Sequence, residues 1–262
     1  MIYSKKHNFL FLKGVKVGGT SVEIALSKLC GDEDIITPIA NIDERTRVQS
    51  NIRHAQNYGP SRSEIREFIE WILVVPTEQI TRRQSPKGHV RNHMPLRRIY
   101  RKLGKLHPEI REANILAIVR SPYQQILSSI NHKINIKRYM TSGRTMRVTP
   151  ADLRKGLDRH IAKLQRRSID NFQSRNYQIY DSSFDDSIHV QFIRFENLTE
   201  GLNQTLKTIG VDETIDLPFA KKGIQSSNDL FREIATNKQI DIINDYHKKD
   251  FARFGYEMIR SS

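Results

Sequence analysis

The sequence contains no long apolar run and only one cysteine. No segment approaches the roughly 20 apolar residues of a membrane-spanning helix, and the apolar stretch at residues 9–12 is shorter than a signal-peptide core. Cys30 has no second cysteine with which to form an internal disulfide, which is typical of a reducing compartment. These absences predict a cytoplasmic protein without a transmembrane segment.

Negative charge is scarce relative to positive charge. The 262 residues include 43 Lys and Arg against 29 Asp and Glu, which gives a formal net charge of +14. Such an excess favours anionic ligands, among them nucleotides, nucleic acid, acidic glycans and anionic membrane surfaces, but it is equally consistent with a basic solvated surface. The chain length and the 37% hydrophobic content predict a globular protein with a proper core.

Short apolar runs alternate with amphipathic helical stretches, which predicts βαβ units and a mostly parallel sheet. The elements predicted from apolar spacing are strands at 8–12, 115–119 and 190–195, and helices around 22–29, 65–72, 95–103, 122–130, 149–164, 198–209 and 237–247. Residues 81–91 and 134–146 are predicted to be basic connections. We expect one α/β domain over 1–262, with an insert at about 55–91.

A glycine-rich loop lies between the first predicted strand and helix. Residues 14–21 read GVKVGGTS. Consecutive backbone N–H groups at such a place, together with a helix N-terminus, form a cradle for an anion, and Gly18 and Gly19 allow close approach of the backbone. Lys16 and the hydroxyls of Thr20 and Ser21 strengthen the prediction of phosphate binding beyond that of an ordinary strand-to-helix turn.

The loop differs from the nucleoside-triphosphate loop GxxxxGK[ST]. Gly14, Gly19 and Ser21 have the expected spacing, but Thr20 occupies the lysine position and the lysine lies earlier, at Lys16. The second strand is followed by Arg120 and not by the aspartate that holds Mg²⁺ in such enzymes. Arg120 could be a surface or salt-bridge arginine, but a cation there also suits a ligand with two separated anionic groups and no metal.

Four segments resemble the sulfotransferases that use 3′-phosphoadenosine 5′-phosphosulfate (PAPS). Residues 16–21 (KVGGTS) resemble the 5′-phosphosulfate loop, and RSPY at 120–123 with Ser128 resembles the 3′-phosphate motif RxPxxRxxS. RFENL at 194–198 and DFARFGY at 250–256 resemble a later strand motif and the ending of carbohydrate-type members. The matches follow family order and imply a P-loop-like three-layer fold, with a central mostly parallel β-sheet flanked by helices.

The resemblance implies site residues and a cofactor. Lys16 would stabilise the leaving phosphate oxygen, and the segment from Val17 to Ser21 would hold the 5′-phosphate. Arg120 and Ser128 would hold the 3′-phosphate. PAPS would be the co-substrate, its desulfated form PAP the product, and no metal would be needed. The ending suggests a hydroxyl-bearing glycan or glycolipid acceptor.

An acceptor hydroxyl must lose a proton, so the reaction needs a base. His93, within the NHMP segment at 92–95, is the preferred candidate, because related carbohydrate-type enzymes carry a histidine in a similar setting and its ordinary pKa suits neutral pH. His54 and His89 are the alternatives. A histidine that merely caps a helix or lies in a loop is the competing interpretation.

The sequence departs from the family pattern at two places. Val15 stands where a proline often precedes the loop lysine, and Gln125 replaces the arginine inside the 3′-phosphate motif. Lys221 and Lys222 form either part of a cofactor-covering loop, as in relatives, or a plain basic loop. The cations of the 55–91 insert would suit an acidic or glycan acceptor, or only solvent.

Two other functions stay open at this stage. A P-loop nucleotide kinase or other nucleoside-triphosphate enzyme is disfavoured by Thr20 and Arg120. A basic, non-enzymatic nucleic-acid-binding protein would use the net charge, but no recognised nucleic-acid motif is present and the aromatic residues do not interleave with the basic runs. We therefore expect no specific nucleic-acid partner.

Overall fold

A computed structural model describes residues 1–142, 147–217 and 227–260, in which five strands and ten helices form. The strands are β1 (Ile2–Ser4), β2 (Phe9–Leu12), β3 (Ile35–Ile36), β4 (Asn114–Val119) and β5 (Val190–Arg194). The helices are α1 (Gly19–Ser27), α2 (Asn41–Gln49), α3 (Arg62–Val74), α4 (Leu96–Leu103), α5 (Pro122–Ser142), α6 (Pro150–Leu164), α7 (Arg175–Ile179), α8 (Leu198–Thr208), α9 (Asn228–Ile234) and α10 (Asn237–Phe254). No helix within these ranges is long and apolar enough to cross a membrane.

The strands form one sheet in the order β3-β1-β2-β4-β5. β2 pairs with β4 in parallel, and β1 is antiparallel to both β2 and β3. Strands β2, β3 and β4 therefore share one direction, while β1 runs against them. The predicted α/β class, with a mostly parallel central sheet flanked by helices, is confirmed.

The chain forms two compact units. The first comprises Met1–Ile118 and Ile179–Ala220, and the second comprises Val119–Gln178 and Lys221–Ser262. The core of the first unit joins apolar residues of the sheet to those of α1 and α8. The core of the second joins residues of α5, α6, α9 and α10. The expectation of a single domain over 1–262 stays a prediction.

Apolar spacing located most of the helices correctly, because each buries one stripe. In α4, for example, Leu96, Ile99, Tyr100 and Leu103 are buried. At the start of α6, Thr149 and Asp152 form a capping box, with Pro150 in the first turn.

The predicted basic connection at 134–146 is wrong up to residue 142. Helix α5 continues to Ser142, because neither glycine nor proline interrupts it and Ile134 still packs against the core. Arg138 also contacts Asp152 of α6 at 2.8 Å between Nη2 and Oδ2. Residues 143–146 lie outside the described part of the chain.

The last helix is longer than predicted. α10 does not end near His247 but continues to Phe254, because Phe251 and Phe254 extend its buried stripe. Gly255 ends it in the left-handed conformation, with φ 66°. Phe251, in the aromatic ending, packs against Tyr123 of α5 at a centroid distance of 5.0 Å, within the core of the second unit.

Apolar spacing missed two strands and three helices, namely β1, β3, α2, α7 and α9. β1 and β3 are only three and two residues long, and α2 is mainly polar. α2 is stabilised by a buried ion pair between Glu44 and Arg47, which an apolar pattern does not show. The last strand ends at Arg194, one residue earlier than predicted, because Phe195–Asn197 form a 3₁₀ turn.

Candidate functional site

The glycine-rich loop joins β2 to α1 in the first unit. β2 is completely buried, and α1 begins at Gly19. Gly18 is the N-cap residue, provides no side-chain cap, and is followed by a first turn without an acidic residue. The backbone N–H groups at this end of α1 therefore lack a side-chain acceptor at the cap, and the helix dipole favours an anion there.

Gly18 cannot be replaced without strain. Its φ is 82°, and a Cβ atom would lie 2.9 Å from Cε2 of Phe195. Phe195 follows β5, so the motif RFENL supplies the wall against which the loop packs. The close approach explains why a glycine is needed at this position.

Lys16 has a left-handed backbone, with φ 60°. Non-glycine residues rarely adopt this conformation, and such residues are concentrated at functional sites. The next residue, Val17, is fully buried in the core of the first unit. The loop thus alternates a half-buried lysine with a buried valine that fixes its position.

A buried ion pair lies beside the loop. The ammonium of Lys13 contacts the carboxylate of Glu23 in α1, and the two side chains are 7% and 0% exposed. The α-amino group of Met1 contacts the same carboxylate. A Cβ atom on Gly19 would come within 2.9 Å of Cγ of Lys13, so the lysine stem packs directly against the start of α1.

His93 is connected to the same strand end. Its Nδ1 lies 3.0 Å from the main-chain carbonyl oxygen of Lys13. A carbonyl only accepts, so Nδ1 carries the proton and, in the neutral ring, Nε2 is unprotonated. The backbone of His93 has φ 58°. Both predicted catalytic residues, Lys16 and His93, therefore have left-handed backbones.

The turn that carries His93 is held by hydrogen bonds of the neighbouring residue, Asn92. The amide of Asn92 donates to the carbonyl of Pro38 at 2.6 Å and accepts from the hydroxyl of Thr37 at 2.7 Å. Met94 is buried. These contacts fix the NHMP segment against the connection after β3.

Burial and the nearby ammonium of Lys13 lower the pKa of His93 to about 4. The imidazole is therefore neutral at physiological pH. The two alternative histidines lie elsewhere in the first unit. Nδ1 of His54 lies 2.7 Å from the carbonyl of Ala55, while His89 is exposed.

Arg120 and Ser128 belong to the second unit. Arg120 is 8% exposed and its Nε donates to Gln124 at 3.0 Å. Ser128 is half-buried on α5. The residue that replaces the family arginine, Gln125, donates to the carbonyl of Arg120 at 2.6 Å and accepts from Asn176 at 2.7 Å. Gln125 thus braces the backbone of Arg120.

Sequence reasoning missed Tyr180. It is fully buried, and its hydroxyl donates to the carbonyl of Ile118 in β4 at 2.7 Å. The same oxygen accepts from the backbone of Gly14, the first residue of the loop. No sequence motif marks this tyrosine, because its partners lie more than sixty positions away.

Three further expectations concern Lys221 and Lys222, the metal, and the basic residues of the 55–91 insert. The two lysines lie outside the described residues. Among the ranges that are described, no group of three or more His, Cys, Asp or Glu could hold a metal ion. In the 55–91 insert, Arg83 pairs with Glu67 at 2.8 Å, whereas Arg82, Lys87 and Arg91 are exposed.

The fold and the loop define an α/β protein with a turn of the kind that receives phosphate groups. The chain belongs to the sulfotransferase family: the model described as "Sulfotransferase family" matches residues 1–257. No curated protein and no solved structure matches the chain. The predicted family is confirmed.

Proposed function

We propose that this sulfotransferase takes the sulfuryl group from PAPS and transfers it to an acceptor hydroxyl. The observation that carries the proposal is the arrangement around the end of β2. Lys16 and His93, the two predicted catalytic residues, both have left-handed backbones, and His93 is hydrogen-bonded to Lys13 beside the loop.

The loop fits the 5′ end of the donor. It offers a helix N-terminus with a glycine as its N-cap residue, a second glycine, a lysine and no acidic residue in the first turn. Lys16, Val17, Gly18, Gly19, Thr20 and Ser21 would hold the 5′-phosphate. By resemblance to the family motif, Arg120 and Ser128 would hold the 3′-phosphate, with Gln125 as a brace of the backbone instead of a third contact.

PAPS, when bound, supplies a sulfuryl group on a phosphate leaving group. Nε2 of His93 would take the proton from the acceptor hydroxyl, because Nδ1 is already committed to the Lys13 carbonyl. Lys16 would stabilise the negative charge that develops on the leaving phosphate oxygen. No residue in this scheme requires a metal.

The acceptor is proposed to be a glycan or glycolipid hydroxyl. This follows the resemblance of the ending at 250–256 to carbohydrate-type members. The exposed cations Arg82, Lys87 and Arg91 of the insert are candidates for contact with an acidic acceptor, whereas Arg83 is engaged by Glu67. Cytoplasmic location stays a prediction.

The first test is thermal stabilisation by PAP, compared with ATP and Mg²⁺. A ligand at about 100 times its dissociation constant adds about 2.7 kcal/mol of stability. We expect a clear upward shift of Tm with PAP that is lost in Lys16→Ala and in Arg120→Ala, because each removes a cation from the donor's anionic groups.

Lys28→Ala is the matched control, since Lys28 is an exposed lysine at the other end of α1 and should leave the shift intact. A shift with Mg-ATP but not with PAP would replace the proposal with a nucleotide kinase. Binding to oligonucleotides that weakens steeply with salt, without any response to PAP, would indicate a nucleic-acid-binding protein.

A further inference from the structure

Lys13 has side-chain contacts that the proposed chemistry does not use. Its side chain is 7% exposed, it precedes the glycine-rich loop, and the loop lysine proper is Lys16. It makes three kinds of contact: the ammonium pairs with Glu23, the aliphatic stem packs against Gly19, and the carbonyl accepts from His93.

These contacts join the start of α1 to the histidine turn. Glu23 lies on the buried face of α1, one turn after Gly19, so the ion pair fixes the end of β2 relative to that helix. The carbonyl that receives Nδ1–H of His93 belongs to the same residue. The ion pair therefore helps to hold the residue whose main-chain carbonyl accepts from the imidazole.

The ammonium also acts on His93 through space. A cation near an imidazole disfavours a second proton on the ring. The charged groups that act on His93 are the ammonium of Lys13, the carboxylate of Glu23 and the α-amino group of Met1, and Lys13 contributes more than Glu23 does.

We propose that Lys13 is a positioning residue: its carbonyl fixes the Nδ1–H tautomer of His93, and its buried ammonium, held by Glu23, disfavours the imidazolium. Together with burial of the ring, which has the larger effect, this leaves Nε2 unprotonated, which is the state a base needs. The value of this arrangement for catalysis rests on the proposed role of His93, whereas the tautomer and the titration of His93 do not.

The test is a histidine NMR titration of the full chain, with the His93 signals assigned by comparison with His93→Gln. We expect the ¹⁵N shifts to show protonation at Nδ1. We expect Lys13→Met to move the titration of His93 upward by about one pH unit, and the conservative Lys13→Arg to leave it near the wild-type position.

Lys13→Met leaves the Glu23 carboxylate short of a partner and can impair folding. Lys13→Met/Glu23→Gln is the second variant, because it removes both charges. It should still move the titration upward, although less, since the lysine is the larger of the two influences.

The outcomes separate the two proposals. A His93 that is protonated at Nε2, or one whose titration is the same in wild type and both lysine-to-methionine variants, overturns the role of Lys13. An upward shift of the titration with a parallel shift of the acid limb of the kcat profile supports both proposals. An upward shift with an unchanged kcat profile supports Lys13 and rejects His93 as the base.

Discussion

Gly18 shows how one missing side chain shapes the loop. Gly18→Ala is expected to weaken PAP binding and to lower stability, because it combines a left-handed φ of 82° with a contact of 2.9 Å to Phe195. The backbone term costs about 1–3 kcal/mol, and the overpacking adds about 1–3 kcal/mol. Urea unfolding and PAP titration of the variant measure both effects.

Gly210→Ala is the matched control. Gly210 also has a positive φ, 84°, but a Cβ atom there meets nothing within 4 Å. It should show the backbone cost alone and keep PAP affinity. Equal losses of stability in the two variants would mean that the contact with Phe195 has no role.

At the scale of single residues, local motifs were sufficient to predict Lys16, Gly18, Gly19 and His93 as candidates. The sequence does not show what holds them. Tyr180 meets Gly14 and Ile118 across long stretches of chain, and Lys13 meets Glu23 through a buried ion pair. Pairings of this kind depend on the tertiary fold, so spacing along the chain does not reveal them.

The carboxylate of Asp152 links the start of α6 to α5. Asp152 accepts from the backbone and hydroxyl of Thr149 and contacts Arg138 of α5 at 2.8 Å. The hydrogen bonds with Thr149, followed by Arg138, lower the pKa of Asp152 to about 2. The usual value in an unfolded chain is about 3.9.

Because the folded pKa is the lower one, the ionised Asp152 stabilises the protein above about pH 4. That contribution is lost as the pH falls through about 2. Asp152→Asn should therefore lower the urea midpoint at pH 6, and the difference from wild type should shrink at pH 2.5. The asparagine side chain can still accept a hydrogen bond from Thr149, so the substitution removes mainly the charge.

Asp158→Asn removes the same charge from the same helix and serves as the control. If its urea midpoint followed the same pH course, net charge and not the contact with Arg138 would be responsible.

At this scale the sequence predicted the start of α6 but not the length of α5. The polar, basic run after Ile134 suggested a loop, while the contact of Arg138 with Asp152 is made only once α6 packs beside α5.

The charge of the whole chain is unevenly divided between its two units. By sequence count, the second unit carries 21 Lys and Arg against 9 Asp and Glu, which leaves +12 of the net +14 within Val119–Gln178 and Lys221–Ser262. Overall composition left anionic ligands and a basic solvated surface open, and it could not show this segregation, because the unit boundaries follow from contacts and not from any linker-like stretch.

The interleaved course of the chain bears on cooperativity. Each unit is built from two separated segments, so neither can unfold as a contiguous piece of sequence. We expect one unfolding transition, in agreement with the predicted single domain.

Leu206→Ala removes a fully buried side chain from the core of the first unit, and Leu157→Ala does so in the second. Each should cost about 2–5 kcal/mol.

Both substitutions should move the same transition in calorimetry, with the calorimetric and van't Hoff enthalpies equal. Two transitions, of which Leu206→Ala moves one and Leu157→Ala the other, would contradict the single domain. Binding of PAP should raise that single transition as a whole, because a ligand that binds only the folded state stabilises everything that unfolds together with its site.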